Sequence, residues 1–219
     1  MKPLFSIGHL SVLMSAILLA TCAWVEALAD SGNNTDPDKE LPEPHKVVAE
    51  ITHRLLQVIN DEKLDPVKNA DAFYRRANAI LAPVVAFDFI AKGVMGNYAD
   101  QVTLEKRRQF TETFKKGLVS TYSKGVAGFS DSVDITTLKP EADTIGQRRV
   151  SVVQKVISGG ATTYISYTMA QNRDNQWKLI NVVLNGINLG KTFRGQFAQA
   201  VQDNQGDVAK VIDAWGKGS

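Results

Sequence analysis

The spacing of apolar residues changes near Phe129, and this change constrains the fold more than any other feature of the sequence. Before it, apolar residues recur at three- and four-residue steps, which predicts helices. After it, β-branched and aromatic residues fall into four runs with a period of two, which predicts strands. Helical spacing returns in the last two segments. Helices followed by a block of strands are typical of an α+β domain rather than of alternating α/β units.

The same patterns place the individual elements. Helices are predicted from Lys46 over the first periodic stretch, over 70–81, 87–94 and 104–122, and near the C-terminus over 189–202 and 207–215. Strands are predicted over 133–138, 148–157, 162–171 and 176–185. Because short turns join these long strands, we expect an antiparallel meander. We therefore predict an α+β fold with a curved antiparallel sheet of about four strands and helices packed around it, of the NTF2-like kind.

Both faces of the third and fourth predicted strands carry apolar or aromatic side chains. In the fourth strand, strict alternation puts Ile180, Val182 and Leu184 on one face and Leu179 and Val183 on the other. A sheet with one face in water alternates between apolar and polar residues instead. The pattern leaves two alternatives open: helices cover both faces, or one face lines an internal apolar cavity.

The N-terminus has the pattern of a secretory signal peptide. Lys2 precedes an uncharged run whose densest part, residues 10–20, is too short to span a bilayer comfortably. Ala27 and Ala29 supply the small residues that signal peptidase reads, so we expect cleavage after Ala29. This predicts a signal peptide at 1–29, a disordered leader at 30–44 and a single domain at 45–217. A retained membrane anchor is the alternative for the first segment.

Cys22 is the only cysteine and lies inside the predicted signal peptide. The preceding Leu19-Ala20-Thr21 faintly resembles a lipoprotein box, but threonine fits poorly before the cysteine, so lipidation is not expected. After cleavage the chain would have no cysteine, and its stability would come from an ordinary hydrophobic core.

The sequence lacks the residue combinations that carry out catalysis. After cleavage the histidines are His45 and His53, eight residues apart and without the H-E-x-x-H spacing of a zinc site. The four predicted strands contain no histidine and one acid, Asp134. Catalysis in an apolar pocket needs a general acid or base there. We therefore expect no catalytic residue, no metal and no cofactor, and the spread-out basic residues argue against nucleic acid as a partner.

Three segments in a fixed order resemble one protein family. Val94-Met95-Gly96-x-Tyr98 precedes aromatic and aliphatic residues at four-residue steps, and WKLINVVLNGINL at 177–189 precedes Phe193-Arg194-x-Gln196-Phe197 and a closing helix. The four-residue ladder consists of Phe110, Phe114, Leu118 and Tyr122. Over 47–215 the chain resembles the MlaC family, the periplasmic phospholipid-binding proteins of the Mla pathway, also called the toluene-tolerance auxiliary family. It departs from the usual family pattern at Asn181, Asn188 and Phe193, where aspartate, serine and tyrosine are common.

The resemblance implies a soluble periplasmic carrier that holds the acyl chains of a diacyl phospholipid in a pocket between sheet and helices. Its partners would be the inner-membrane Mla ABC transporter complex and an outer-membrane lipoprotein–porin complex. Shuttling between them would maintain outer-membrane lipid asymmetry, and no cofactor is implied. The alternative is an enzyme or signalling module on the same NTF2-like scaffold with a small apolar ligand.

Apolar side chains expected around such a pocket are the candidates for lipid binding, and each has ordinary core packing as its alternative. They are Val94, Met95, Tyr98, Phe110, Phe114, Val152, Tyr164, Val182, Leu184, Ile187, Phe193 and Phe197. Lys191 and Arg194 follow the last strand and are candidates for contact with a head group or for docking a partner, with a surface salt bridge or a buried structural arginine as the alternative. Seven basic residues and one acid between Arg148 and Gln202 are consistent with an anionic ligand or an acidic partner, and an ordinary solvated face is the equal alternative.

Overall fold

The structure, a computed structural model, describes residues 41–61, 69–126 and 133–216, and the side chains of 121–126 fall outside that description. The predicted signal peptide, its cleavage site and Cys22 lie outside the described residues, as does most of the predicted leader. The side chain of Tyr122, the last member of the four-residue ladder, lies outside them as well. No helix among the described residues is long and apolar enough to cross a membrane.

The described residues form the predicted order of helices and strands. The helices are α1 (Glu43–Ile59), α2 (Ala70–Leu81), α3 (Phe87–Met95), α4 (Leu104–Val126), α5 (Leu189–Asp203) and α6 (Val208–Ala214), with a 3-10 helix at Gly96–Gln101. The strands are β1 (Val133–Thr137), β2 (Arg149–Ser158), β3 (Ala161–Gln171), β4 (Trp177–Leu184) and β5 (Ile187–Asn188). The predicted fold class is confirmed, with the two-residue strand β5 in addition to the four predicted strands.

The first helix begins earlier than predicted. Glu43 and Pro44 belong to α1, whereas the sequence pattern assigned them to the leader. Proline is tolerated in the first turn of a helix because the N–H that it lacks would have no partner within the helix. Farther along, Thr103 accepts a hydrogen bond from the Lys106 backbone N–H at 3.2 Å, which satisfies one of the free donors at the start of α4.

The five strands form one antiparallel sheet in the order β1-β2-β3-β4-β5, so the predicted meander is confirmed. Asn185 and Gly186 both have positive φ, at 45° and 81°. Two such residues form the tight turn that suits a two-residue hairpin, and they let Ile187 return alongside Leu184.

A register shift in the β3–β4 pair changes which residues share a face. Thr168 pairs with Asn181, but Met169 pairs with Leu179, so Ile180 is an extra residue in β4. Leu179 therefore lies on the same face as Val182 and Leu184. The prediction that Leu179 faces away from them is wrong, because one added residue reverses the facing of every residue beyond it.

The two faces of the sheet have different surroundings. Val150, Val152 and Gln154 of β2 are buried on one face, here called the inner face, and α1 packs against it through Val48. On the other face, the outer face, Arg149 and other residues remain exposed, so at these positions helices do not cover it. The exposed residues of the outer face include Arg149, Ser151, Thr162 and Tyr164.

The hydrophobic core is divided into three clusters. The helical cluster joins α3, the 3-10 helix, α4, α5 and α6 and includes Phe110 and Phe197. A second cluster joins α1, α2 and α4 around Phe73. The third, the sheet cluster, joins α1 to the inner face through Val48, Val150, Val152 and Met169.

Candidate functional site

On β3 and β4 the inner face packs into the sheet cluster at one end, here called the closed end, and belongs to no core cluster at the other, whereas on β2 it is buried at both ends, through Val150 and Val156. At the closed end, Val152 and Met169 have no accessible surface, at 0 % each. Toward the other end, Ile165, Val182 and Leu184 lie on the same face but remain half-buried, and none of them belongs to a buried core cluster. Protein interiors are normally close-packed. Apolar side chains that point inward and keep accessible surface therefore indicate an internal apolar space at this end, here called the open end.

Half-buried apolar side chains also border the core clusters on the helical side. Ile90 of α3, Leu118 of α4 and Phe193 of α5 pack against the helical cluster, and Ile51 and Leu55 of α1 pack against the second cluster. The Phe193 ring meets the Phe114 ring edge-on, with 5.2 Å between ring centroids and an interplanar angle of 89°. These residues are apolar helical side chains that keep accessible surface at the border of the core.

The structure divides the twelve predicted lipid-binding residues into three groups. Six are 0–2 % exposed and lie in packed core: Val94, Met95, Phe110, Phe114, Val152 and Phe197. Four are half-buried and keep accessible surface: Tyr98, Val182, Leu184 and Phe193. Two are exposed: Tyr164 and Ile187. The first group belongs to the packed core, because a side chain without accessible surface does not line an open cavity.

The aromatic ladder of α4 packs mainly on other rings. The centroid of Phe110 lies 5.6 Å from that of Phe114, 5.0 Å from that of Phe197 and 5.4 Å from that of Trp215. Edge-on and stacked arrangements at these distances stabilise a core beyond the effect of burial alone. For Phe110 and Phe114 the ordinary-core interpretation therefore describes this structure better than a place in the pocket wall.

The structure places Tyr164 away from the inner face. It lies on the outer face, opposite in facing to its neighbour Ile165, and is 50 % exposed. Alternation separated these two residues correctly, but the sequence carried no sign of which face was inward. Ile187 is 41 % exposed because it begins the two-residue strand β5 at the hairpin.

A buried polar network on the inner face was not predicted. Gln154 is 1 % exposed and donates through Nε2 to Thr52 Oγ1 of α1 and to Thr137 Oγ1 of β1, both at 3.0 Å. Its Oε1 accepts a hydrogen bond from the Tyr167 hydroxyl of β3 at 2.9 Å. Burial raises the pKa of Tyr167 to about 12, so the hydroxyl stays protonated and acts as a donor. The sequence signal for this network was Gln154, a single polar residue among the apolar positions of β2.

The two basic candidates make different contacts. The Arg194 guanidinium lies over Gly96 at the C-terminus of α3, so that a Cβ at this glycine would come within 2.8 Å of Nε. A cation at a helix C-terminus interacts favourably with the partial negative charge there. Arg194 is exposed, so it is not the buried structural arginine of the alternative, although its guanidinium contacts the end of α3. The Lys191 side chain is exposed, and its backbone N–H donates to Asn188 Oδ1 at 3.0 Å.

Replacing Gly96 by alanine is expected to lower the stability of the domain by about 1–3 kcal/mol. Gly96 has φ 56° and ψ −131°, a conformation that side-chain-bearing residues avoid, and the new methyl group would push Arg194 aside. Gly93, in the same helix, is exposed and has open space around its Cα, so Gly93→Ala is the matched control. It should stabilise α3 by roughly 0.5–1 kcal/mol. Urea unfolding measures both, and equal effects of the two substitutions would contradict the expectation.

A separate groove lies between β2 and the loop at 138–147, and residues of both sheet faces and of α1 line it. Its volume is about 500 Å³, and its lining includes Ser151, Val153 and Tyr164 with His45 at the start of α1. His45 is 1 % exposed, and its Nδ1 has no hydrogen-bond partner. Burial lowers the pKa of His45, because the charged imidazolium is disfavoured away from water.

Acidification is expected to destabilise the protein through His45. Its folded-state pKa is lowered, so between that value and the unfolded value near 6.5 the unfolded chain binds more protons. This contribution to stability is therefore present above about pH 6.5 and lost below it. His45→Gln should reduce the fall in melting temperature between about pH 7.5 and pH 5.5. His53→Gln, at an exposed position, is the control, and the same pH dependence in wild type and His45→Gln would refute the assignment.

Within the described ranges, no group of three or more His, Cys, Asp or Glu side chains is arranged to hold a metal ion.

Comparisons with known proteins give a family model, a relative and a solved structure to which this chain is similar. The family model described as MlaC protein matches residues 49–217. The toluene tolerance protein ttg2D of Pseudomonas putida is 38% identical over 174 residues, covering 78% of this chain and 79% of that protein. A similar solved structure is that of the phospholipid-binding protein from Ralstonia solanacearum in complex with a phospholipid. Its TM-score is 0.70 with 21% sequence identity, and the match covers 80% of this chain and 98% of that one.

Proposed function

Because the chain belongs to the MlaC family, we propose that it is a phospholipid carrier that holds acyl chains in the apolar space at the open end of the inner face. The observation that carries this proposal is the accessible surface kept by Ile165, Val182 and Leu184 although they point into the protein. The Ralstonia protein that shares the fold is described as phospholipid-binding and was solved with a phospholipid, which supports the same ligand class here.

Hydrophobic burial is the main source of affinity in this proposal. Each methylene group removed from water contributes about 0.8 kcal/mol, so one long acyl chain contributes on the order of 10 kcal/mol before the costs of binding. A hydrogen bond to a head group contributes about 1 kcal/mol net. The carrier should therefore distinguish lipids by their chains more than by their head groups.

The carrier function requires no chemical step. The polar network of the inner face consists of the Gln154 amide and the hydroxyls of Thr52, Thr137 and Tyr167, each of which is hydrogen-bonded to Gln154. None of these groups is a general acid or base near neutral pH, because the pKa of Tyr167 is raised to about 12. This supports a binding protein rather than the alternative enzyme or signalling module.

The proposed place of action is the periplasm, between the inner-membrane Mla ABC transporter complex and the outer-membrane lipoprotein–porin complex. The signal-peptide pattern at 1–29 and membership of the MlaC family support this location and these partners. The exchange would maintain outer-membrane lipid asymmetry. Mass spectrometry of protein secreted to the periplasm should give a mature N-terminus at Asp30, and a chain that keeps residues 1–29 would contradict the export part of the proposal.

Lipid extraction tests the proposal as a whole. Protein expressed with residues 1–29, purified from the periplasm without detergent and extracted with organic solvent should yield about one phospholipid per chain by mass spectrometry. A periplasmic protein without an apolar cavity, purified in parallel, controls for lipid carried along non-specifically. Protein that holds no lipid and takes up none from vesicles would overturn the proposal.

A further inference from the structure

Tyr167 lies at the boundary between the closed and open ends of the inner face. Along β3 the inward residues are Met169, Tyr167 and Ile165, in the order from closed to open. Met169 is 0 % exposed, whereas Tyr167 and Ile165 are half-buried. Tyr167 also packs against the sheet cluster, which fills the closed end. One side of its ring therefore belongs to the packed core, and the rest of the side chain borders the apolar space.

The hydrogen-bond network holds this ring in place. The Tyr167 hydroxyl donates to Gln154 Oε1 at 2.9 Å, and Gln154 is itself held by Thr52 and Thr137 at 3.0 Å. These contacts link the ring to α1, β1 and β2 at once. Rotating the ring away would leave the Tyr167 hydroxyl without its partner Gln154, and an unsatisfied buried polar group costs about 1–3 kcal/mol, which disfavours the motion.

The cross-strand neighbours of Tyr167 also limit its movement. Val152 of β2 pairs with it on one side and is 0 % exposed, and Val182 of β4 pairs with it on the other side. The hydroxyl is already engaged with Gln154, so what Tyr167 offers a ligand is the apolar ring. The matching ligand chemistry is a hydrocarbon chain rather than a polar head group.

We infer that Tyr167 is the end wall of the acyl-chain site and that, fixed by Gln154, it sets the longest chain that the protein holds. This inference rests on the proposed carrier function and adds the residue that determines specificity. Beyond the ring the inner face is filled by Val150, Val152 and Met169, so a chain that reaches Tyr167 has no further space to enter. Met169 lies two residues farther along β3, a distance of roughly 7 Å.

The test compares two tyrosines on opposite faces of one strand. Wild type, Tyr167→Ala and Tyr164→Ala, each stripped of lipid, are incubated with vesicles containing equal amounts of two phosphatidylglycerols that differ by two methylene groups in each chain. The bound lipids are quantified by mass spectrometry. Removing the end wall should raise the ratio of longer to shorter lipid by about fourfold for each additional methylene group buried. Tyr164→Ala should leave the ratio unchanged, since Tyr164 lies on the outer face.

Two further variants distinguish the effect of the Tyr167 ring from the effect of its hydrogen bond to Gln154. Tyr167→Phe keeps the ring and should keep the wild-type ratio, whereas Tyr167→Leu, a milder truncation, should shift the ratio in the same direction as alanine. If Tyr167→Ala does not fold, the ratio of longer to shorter lipid bound by Tyr167→Leu tests the inference instead. Loaded Tyr167 variants that bind the two lipids in the wild-type ratio would overturn the inference while leaving the carrier function standing. Wild type that takes up neither lipid would instead overturn the carrier function.

Discussion

Replacing Leu184 by arginine is expected to abolish lipid loading while the protein stays folded. Leu184 lies on the inner face beside Ile165, at the open end, and is half-buried. A guanidinium there adds volume and a charge that an acyl chain cannot solvate, and moving an unpaired charge away from water costs several kcal/mol. Phospholipid per chain after purification should fall at least about tenfold, the factor that corresponds to 1.4 kcal/mol.

The fold should tolerate this substitution because Leu184 is outside the packed clusters and ends β4 next to the exposed hairpin. A long arginine side chain can extend its charged end toward water from such a position. Tyr164→Arg is the matched control, since Tyr164 is on the neighbouring strand but faces outward. Leu184→Arg protein that folds and carries the wild-type amount of lipid would show that Leu184 does not line the site.

Replacing Gln154 by leucine is expected to cause a large loss of stability. The two side chains are similar in size, so the packing changes little, but Thr52, Thr137 and Tyr167 each lose a hydrogen-bond partner in a buried or part-buried place. With about 1 kcal/mol for each hydroxyl, the free energy of unfolding should fall by about 3 kcal/mol. For a domain of this size the melting temperature should fall by roughly 6–12 °C.

The outer face offers a matched control for the network. Ser151 and Ser166 share a hydroxyl–hydroxyl hydrogen bond of 2.8 Å on the outer face. Ser166→Ala removes this bond where water can replace it, so stability should change by no more than about 0.5 kcal/mol. Thermal and urea unfolding followed by circular dichroism measure both variants. A change below about 1 kcal/mol for Gln154→Leu would mean that the freed hydroxyls find other partners.

Much of the fold could be predicted because its signals are local. The change of period near Phe129 separates helices from strands, and the turn residues between the strands predicted the antiparallel meander that the structure has. The start of α1 was missed because Pro44 resembles leader sequence, although proline is equally suited to a first helical turn.

The candidate site was predicted less well, because the position of a side chain relative to a cavity depends on distant parts of the chain. Phe110 and Phe114 have the same spacing whether they pack on rings of other helices or line a pocket, and it is Phe197, Phe193 and Trp215 that decide between these roles. Tyr164 and Tyr167 are the same residue type in the same strand, and the packing of α1 on one face of the sheet decides which of them points inward.

The sequence by itself determined the order of elements, the apolar character of both faces of β3 and β4, and the motifs that resemble the MlaC family. Each of these features depends on residues that are close together in the chain. The tertiary structure decided the facing of Leu179 through the extra residue Ile180, the burial of Gln154 and the division of the inner face into a closed and an open end. The physical reason is that strand register and packing density arise from contacts between residues far apart in sequence, such as the hydrogen bond from Gln154 to Thr52, and no local pattern specifies them.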